Sequence, residues 1–236
     1  MPQTARKSGN PGGESDRRLI WFCGLLAPVL AWSAVGPHDR FTWLLEVVPI
    51  FVGIPIALAV QRRFPLSSLL LVLLWWHSVI LIVGGHYTYA RVPLGDWAMQ
   101  WFGWTRNNYD KVGHFAQGFV PAILAREILL RTSPLGWSRG PLASARGDDL
   151  VPAAQPSRWT PFLCVSVCLA FSALYELIEW WVAEASGAAA DDFLGTQGYA
   201  WDTQSDMAWA LGGAIVALLL LSRWHDRSLK NLKLET

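Results

Sequence analysis

The chain has 236 residues, of which 53% are hydrophobic, only 16% are charged and 15 are Trp, whereas a soluble domain is about a quarter charged. That length holds about six membrane crossings of roughly 20 residues with short connections, and leaves no room for a large separate soluble domain. The formal charge of +1, with basic residues in short clusters between apolar runs, excludes a general attraction to nucleic acid.

Residues 1–18, with Ser8, Gly9, Asn10, Pro11, Gly12 and Gly13, predict a disordered cytoplasmic tail. Arg17 and Arg18 precede the first apolar run, Leu19 to Val35. It is long for the apolar core of a signal peptide and further apolar runs follow, so it predicts an uncleaved first span. A second span is expected from Trp43 to Val60, interrupted by Pro49 and Pro55, and a third from Leu66 to Val83, with His77 inside it. The fourth, Val112 to Leu130, is less apolar and carries His114, Gln117 and Arg126. The fifth is expected from Pro161 to Val182 and the sixth from Met207 to Leu221. Proline and small polar residues are tolerated in spans where neighbouring helices re-satisfy the backbone.

The expected fold is therefore all-α: a polytopic integral membrane protein of six transmembrane helices over residues 19–222. A flexible cytoplasmic loop is expected at 132–160 and a short basic cytoplasmic tail at 223–236. Fourteen Lys and Arg residues fall on the side holding both termini against four on the other, so both termini are predicted cytoplasmic. Cys23, Cys164 and Cys168 lie in apolar runs and read as small buried hydrophobes. Neither a thiolate-bound cofactor nor a nucleotide is expected.

Ionisable residues at membrane depth are costly and need a partner, a cavity or a function. Asp110, His114 and Gln117 are spaced by four and three and form one stripe at the outer end of the fourth span. Glu176 and Glu179 are three apart near the end of the fifth, where a negative charge opposes the helix dipole. Asp202 and Asp206 are four apart at the entry to the sixth, with Gln204 pointing elsewhere. Carboxylates crowded at low dielectric repel one another unless protons or a cation intervene, and a divalent cation is the economical answer. Asp110, His114, Glu176, Glu179, Asp202 and Asp206 are the candidate ligands, a set that suits Mg, Mn, Zn or Fe. Glu176, Glu179 and His114 are the candidates for acid or base catalysis.

Structural alternatives stand beside these readings. Asp110 caps the fourth helix and Asp206 favours the start of the sixth in the plainer account. His77 reads as a packed histidine and Asp191 and Asp192 as solvated loop charge, while His86, Tyr87, Tyr89 and Asp96 supply either a wall or further ligands. Glu46 either pairs with Arg40 or lines a groove.

The segments YDKVGHFAQGFVPAILAREILLR (109–131), HYTYARVPLGDW (86–97), FSALYELIEWW (171–181) and FLGTQGYAWDTQSDM (193–207) resemble the YjdF-like family of bacterial inner-membrane proteins of unknown function. That family is in turn distantly similar to VanZ-like membrane proteins. The resemblance implies an inner-membrane location. Tyr199 stands where the family commonly has Asp, which favours Asp202 and Asp206 as ligands over position 199.

Three functions follow as expectations. The first is a cation-dependent reaction on a lipid or envelope molecule at an outward-facing acidic and His site. The second is a cation- or proton-coupled transporter using Pro49, Pro55 and Pro121 as helix breaks. The third is a non-catalytic scaffold stapled by a structural cation or a hydrogen-bond network. Membrane lipids are the expected partners, and the small residues Gly212, Gly213 and Ala214 allow close helix contact or homo-oligomerisation.

Overall fold

A computed structural model describes residues 11–133, 137–138, 155–186 and 197–235. The tail at 1–10, most of the 132–160 loop, Asp191, Asp192, Gly195 and Thr196 lie outside the described residues. Among the described residues seven helices carry the fold: α1 (Pro11–Ser33), α2 (Arg40–Val60), α3 (Ser68–Tyr87), α4 (Pro93–Phe102), α5 (Tyr109–Thr132), α6 (Trp159–Ser186) and α7 (Asp202–Glu235). A short 3-10 turn at Tyr89–Arg91 precedes α4, and Trp137–Ser138 pairs antiparallel with Gln155–Pro156.

Four of these helices are long and apolar enough to cross a membrane, over Arg40–Val60, Ser68–Tyr87, Trp159–Ala185 and Asp202–Leu232. This corrects the expectation of six transmembrane helices. In α1 the first turns hold Glu14, Asp16, Arg17 and Arg18, and the apolar remainder, Leu19–Ser33, falls short of the roughly 20 residues a crossing needs. In α5, Asp110, Lys111, Arg126, Glu127 and Arg131 spread charge along the whole helix. Asp110, Lys111, Arg126 and Glu127 are buried, so these charges are enclosed by protein, and enclosure removes the demand for an apolar helix.

The chain divides into two compact units, residues 1–88 with 223–236, and residues 89–222. In the first, α3 packs against both α1 and α2 around Leu26, Val47, Ile50 and Ile82. Lipid tails are as apolar as these side chains, so close packing and dispersion, more than exclusion of water, hold such a core. Local chemistry fixes the helix starts. The Asp39 side chain accepts from the Thr42 amide at 2.6 Å, and Ser67 accepts from the Leu70 amide at 3.4 Å. His86 is tied into this unit by a 2.9 Å hydrogen bond between its Nδ1 and the Ser33 carbonyl, and it lies against Trp32 at 4.4 Å. Buried Glu46 lies against Gly85, where an added Cβ would come within 3.0 Å of the glutamate's own Cβ.

In the second unit α5 runs along α6, and α5 meets α7 through small residues. A Cβ on Gly118 would lie 1.7 Å from the Ala210 carbonyl oxygen, and one on Gly213 would lie 2.1 Å from that of Phe115. The two backbones therefore touch where no side chain intervenes. Gly213 and Ala214, expected to allow either close helix contact or association between copies, serve the first within the chain: Gly213 admits the Phe115 backbone and Ala214 is fully buried. Helix α4 starts at Pro93, whose missing N–H costs nothing at that position, and ends at Gly103 with φ 67°.

Candidate functional site

The site lies wholly in the second unit, where the starts of α5 and α7 meet the later turns of α6. Two side chains outside the helices hold the approach. The Gln197 amide donates to the Asn107 carbonyl at 2.8 Å and accepts from the Asn107 amide at 3.0 Å, joining the lead-ins of α7 and α5. The Asn107 side chain in turn donates to the Asp96 carboxylate at 2.8 Å and to the Val92 carbonyl at 3.0 Å. The Tyr89 ring lies tilted against that of Tyr109 at 5.8 Å and packs against Gly113. Asp96 and Tyr89 thus brace this loop.

Asp110, Asp202 and Asp206 are all buried, and two cations fill the space between them. The Lys111 ammonium donates to Asp202 and Asp206 at 2.7 Å each and lies 3.2 Å from Asp110. The Arg106 guanidinium donates to Asp202 at 2.8 Å and to Asp110. The Tyr199 ring covers both cations, 5.4 Å from the Arg106 guanidinium carbon and 5.8 Å from the Lys111 nitrogen. Burial pushes the Asp110 carboxyl above its ordinary range, against the opposing pull of Lys111 and Arg106. For Lys111 burial disfavours the charge, but the bonds to Asp202 and Asp206 and the charge of Asp110 outweigh it and raise the pKa.

A second grouping shares Asp206. His114 Nε2 lies 3.7 Å from Asp206 Oδ2, and His114 Nδ1 lies 3.8 Å from Glu176 Oε1 and 3.1 Å from Gln117 Oε1. The Glu176 side chain is only 6% exposed, and its Oε1 has no hydrogen-bond partner among the described residues. Two groups of ligand atoms could each hold a divalent cation: His114, Glu176 and Asp206, and Asp110, Asp202 and Asp206, the atoms of each group lying within 4.8 Å of one another. Their chemistry, carboxylate oxygens with one imidazole, fits Mg, Mn, Zn or Fe.

Five of the six candidate ligands therefore converge: Asp110, His114, Glu176, Asp202 and Asp206. Glu179 is half-buried and belongs to neither grouping. Gln204 is exposed, while Asp202 and Asp206 share the buried face that their spacing predicts. Arg106 and Lys111, two of the four basic residues on the side away from the termini, and Tyr199, disfavoured as a ligand, belong to the site without having stood out in the sequence. Lys111 carried a legible signal, because a cation in the first turn of a helix opposes the dipole and needs a specific partner. Asn107 and Gln197 carried none, since their pairing spans 90 residues.

Fold and site together define a multi-pass α-helical membrane protein with a buried, ion-paired cluster inside one of its two units. The chain belongs to the family described as "Predicted membrane protein (DUF2238)", which matches residues 18–227. It is 47% identical over 211 residues to the Inner membrane protein YjdF of Escherichia coli (strain K12), covering 89% of this chain and 92% of that relative. The resemblance carried by the four sequence segments is thereby borne out. No solved structure matches.

Proposed function

We propose that the protein binds a divalent cation through His114, Glu176 and Asp206 and uses it in a reaction on a lipid or cell-envelope molecule. The observation that carries this reading is the buried Glu176 Oε1, which lacks a hydrogen-bond partner among the described residues and faces His114. A buried carboxylate oxygen left so costs on the order of 1–3 kcal/mol or more, and a cation removes that cost. The charge balance points the same way. The cluster holds two cations, Arg106 and Lys111, paired with Asp110, Asp202 and Asp206, and a fourth carboxylate, Glu176, near His114, and one divalent cation makes up the difference. Asp110 and Asp202 are better read as partners of Arg106 and Lys111 than as ligands.

The cation would polarise a phosphoryl or carbonyl oxygen. Glu179, one turn beyond Glu176 on α6, is the remaining candidate for proton transfer. The relative's name and the basic ends of the chain support an inner membrane location with both termini cytoplasmic. Asp202 and Asp206 start the helix whose far end carries Arg223, Arg227, Lys230 and Lys233, which supports an outward-facing site.

A second reading has its own observation. Lys111 already neutralises the centre of the three aspartates, so the whole cluster would serve as a structural network with no cation. Elemental analysis of the detergent-purified protein beside its Glu176→Gln variant separates the two. Stoichiometric divalent metal in the parent, lost from a folded variant, is the expected result. A folded parent free of metal after equilibration with Mg, Mn, Zn and Fe leaves the structural network as the account.

A further inference from the structure

Beside the ion-paired cluster is a cavity of about 670 Å³, a size typical of small-molecule sites. Its walls are apolar and come from three helices and a loop: Leu94 and Ala98 on α4, Trp104 in the loop after it, Val112 and Phe115 on α5, and Trp209 on α7. Its polar end is formed by Arg106, Lys111, Tyr199 and Ser205. Leu94, Trp104, Val112 and Trp209 are each about half exposed, so the apolar wall continues onto the outer surface of the unit. Trp97, Trp101 and Phe102 on α4 are exposed as well, the pattern of a helix seated at a membrane interface.

The charged side chains lining this cavity are both cations, and the carboxylates that pair with them do not line it. Arg106 bonds Asp110 and Asp202, yet its Nε–H has no acceptor among the described residues. A guanidinium has five donors and matches phosphate oxygens, and Tyr199 and Ser205, which carry hydroxyls, line the same cavity. A long apolar wall that opens outward and ends at two cationic side chains is complementary to a phosphate-bearing amphiphile.

We propose that this cavity binds one membrane phospholipid, with an acyl chain along Val112, Phe115 and Trp209 and the phosphate at the Arg106 end. The proposal deepens the functional reading above by naming the substrate class. It rests on that reading in one respect: the divalent cation offsets the surplus of carboxylates that would otherwise repel a phosphate.

The test is native mass spectrometry of the full chain in a neutral detergent, metal-loaded, with phosphatidic acid and with diacylglycerol of the same chains. One phosphatidic acid should be retained, with diacylglycerol held roughly tenfold or more weakly. Ala98→Trp, which fills the apolar wall away from the ion pairs, should abolish retention of both, and Tyr199→Leu should weaken phosphatidic acid alone. Equal retention of the two lipids overturns the proposal, as does unchanged binding in a folded Ala98→Trp protein. If that variant does not fold, displacement of phosphatidic acid from the parent by dodecyl phosphate but not by dodecanol decides the matter in the same way. Metal analysis on the same samples keeps the two readings apart. Bound metal without a phosphate preference defeats the lipid site alone, whereas phosphate preference in a protein that takes up no metal defeats the metal reading alone.

Discussion

Replacing Lys111 by Met removes the ammonium from among three aspartates while keeping the length and apolar stem of the side chain. Two contacts of 2.7 Å are lost, each worth about 6 kcal/mol of Coulomb attraction at an effective dielectric near 20. Taking the ammonium and the carboxylates out of water costs several kcal/mol per ion, so the pairs do not contribute that sum. What the substitution exposes is the uncompensated charge left behind, because Arg106 pairs with Asp110 and Asp202 and Asp206 loses its ammonium partner. Removing one partner of such a buried set destabilises by roughly 3–5 kcal/mol. The assay is equilibrium or thermal unfolding in detergent, for Lys111→Met, Asp206→Asn and the double variant. The double variant should recover part of the loss, with a coupling of about 1–3 kcal/mol. A Lys111→Met protein within about 0.5 kcal/mol of the parent, or strictly additive variants, would refute the idea that Lys111 neutralises this cluster.

Other perturbations test separate parts of the structure. Gly118→Ala forces a methyl group to 1.7 Å from the Ala210 carbonyl oxygen and should cost about 1–3 kcal/mol or more in unfolding assays. Gly212→Ala, with nothing within 4 Å, should be neutral or stabilising by up to about 1 kcal/mol. Gln197→Ala removes both bonds to the Asn107 backbone and should lower the melting temperature by an amount equivalent to about 1–2 kcal/mol, with faster amide exchange at residues 104–110 as the specific readout. Asp39→Ala should cost about 1 kcal/mol through loss of the α2 cap. The Thr42 amide holds the Asp39 carboxyl below its ordinary range, so the cap's contribution is present at neutral pH and is lost as pH falls through that lowered value. The parent should therefore lose more stability than Asp39→Asn across the acid range below about pH 4.

The sequence by itself determined the solvent, the family and the residue types of the site. Apolar runs such as Trp43 to Val60 and Leu66 to Val83 are long enough that only a helix in lipid suits them, because an unpaired backbone has no water to bond there. It also placed Asp202 with Asp206 on one helical face, since the period of 3.6 residues is a local property. Span number was not decided locally. Hydropathy alone cannot separate a helix that meets lipid from one, like α5, whose charges are enclosed by protein, and enclosure is a tertiary fact. Nor could spacing separate Glu176 from Glu179, which differ by less than a turn; only the packing of α6 against α5 turns one toward His114 and leaves the other outside the cluster. The identity of the counterions was likewise a matter of packing. Lys111 reaches Asp202 and Asp206 across more than 90 positions of sequence because Gly118 and Gly213 let α5 and α7 approach to backbone contact, and no pattern within either helix records that distance.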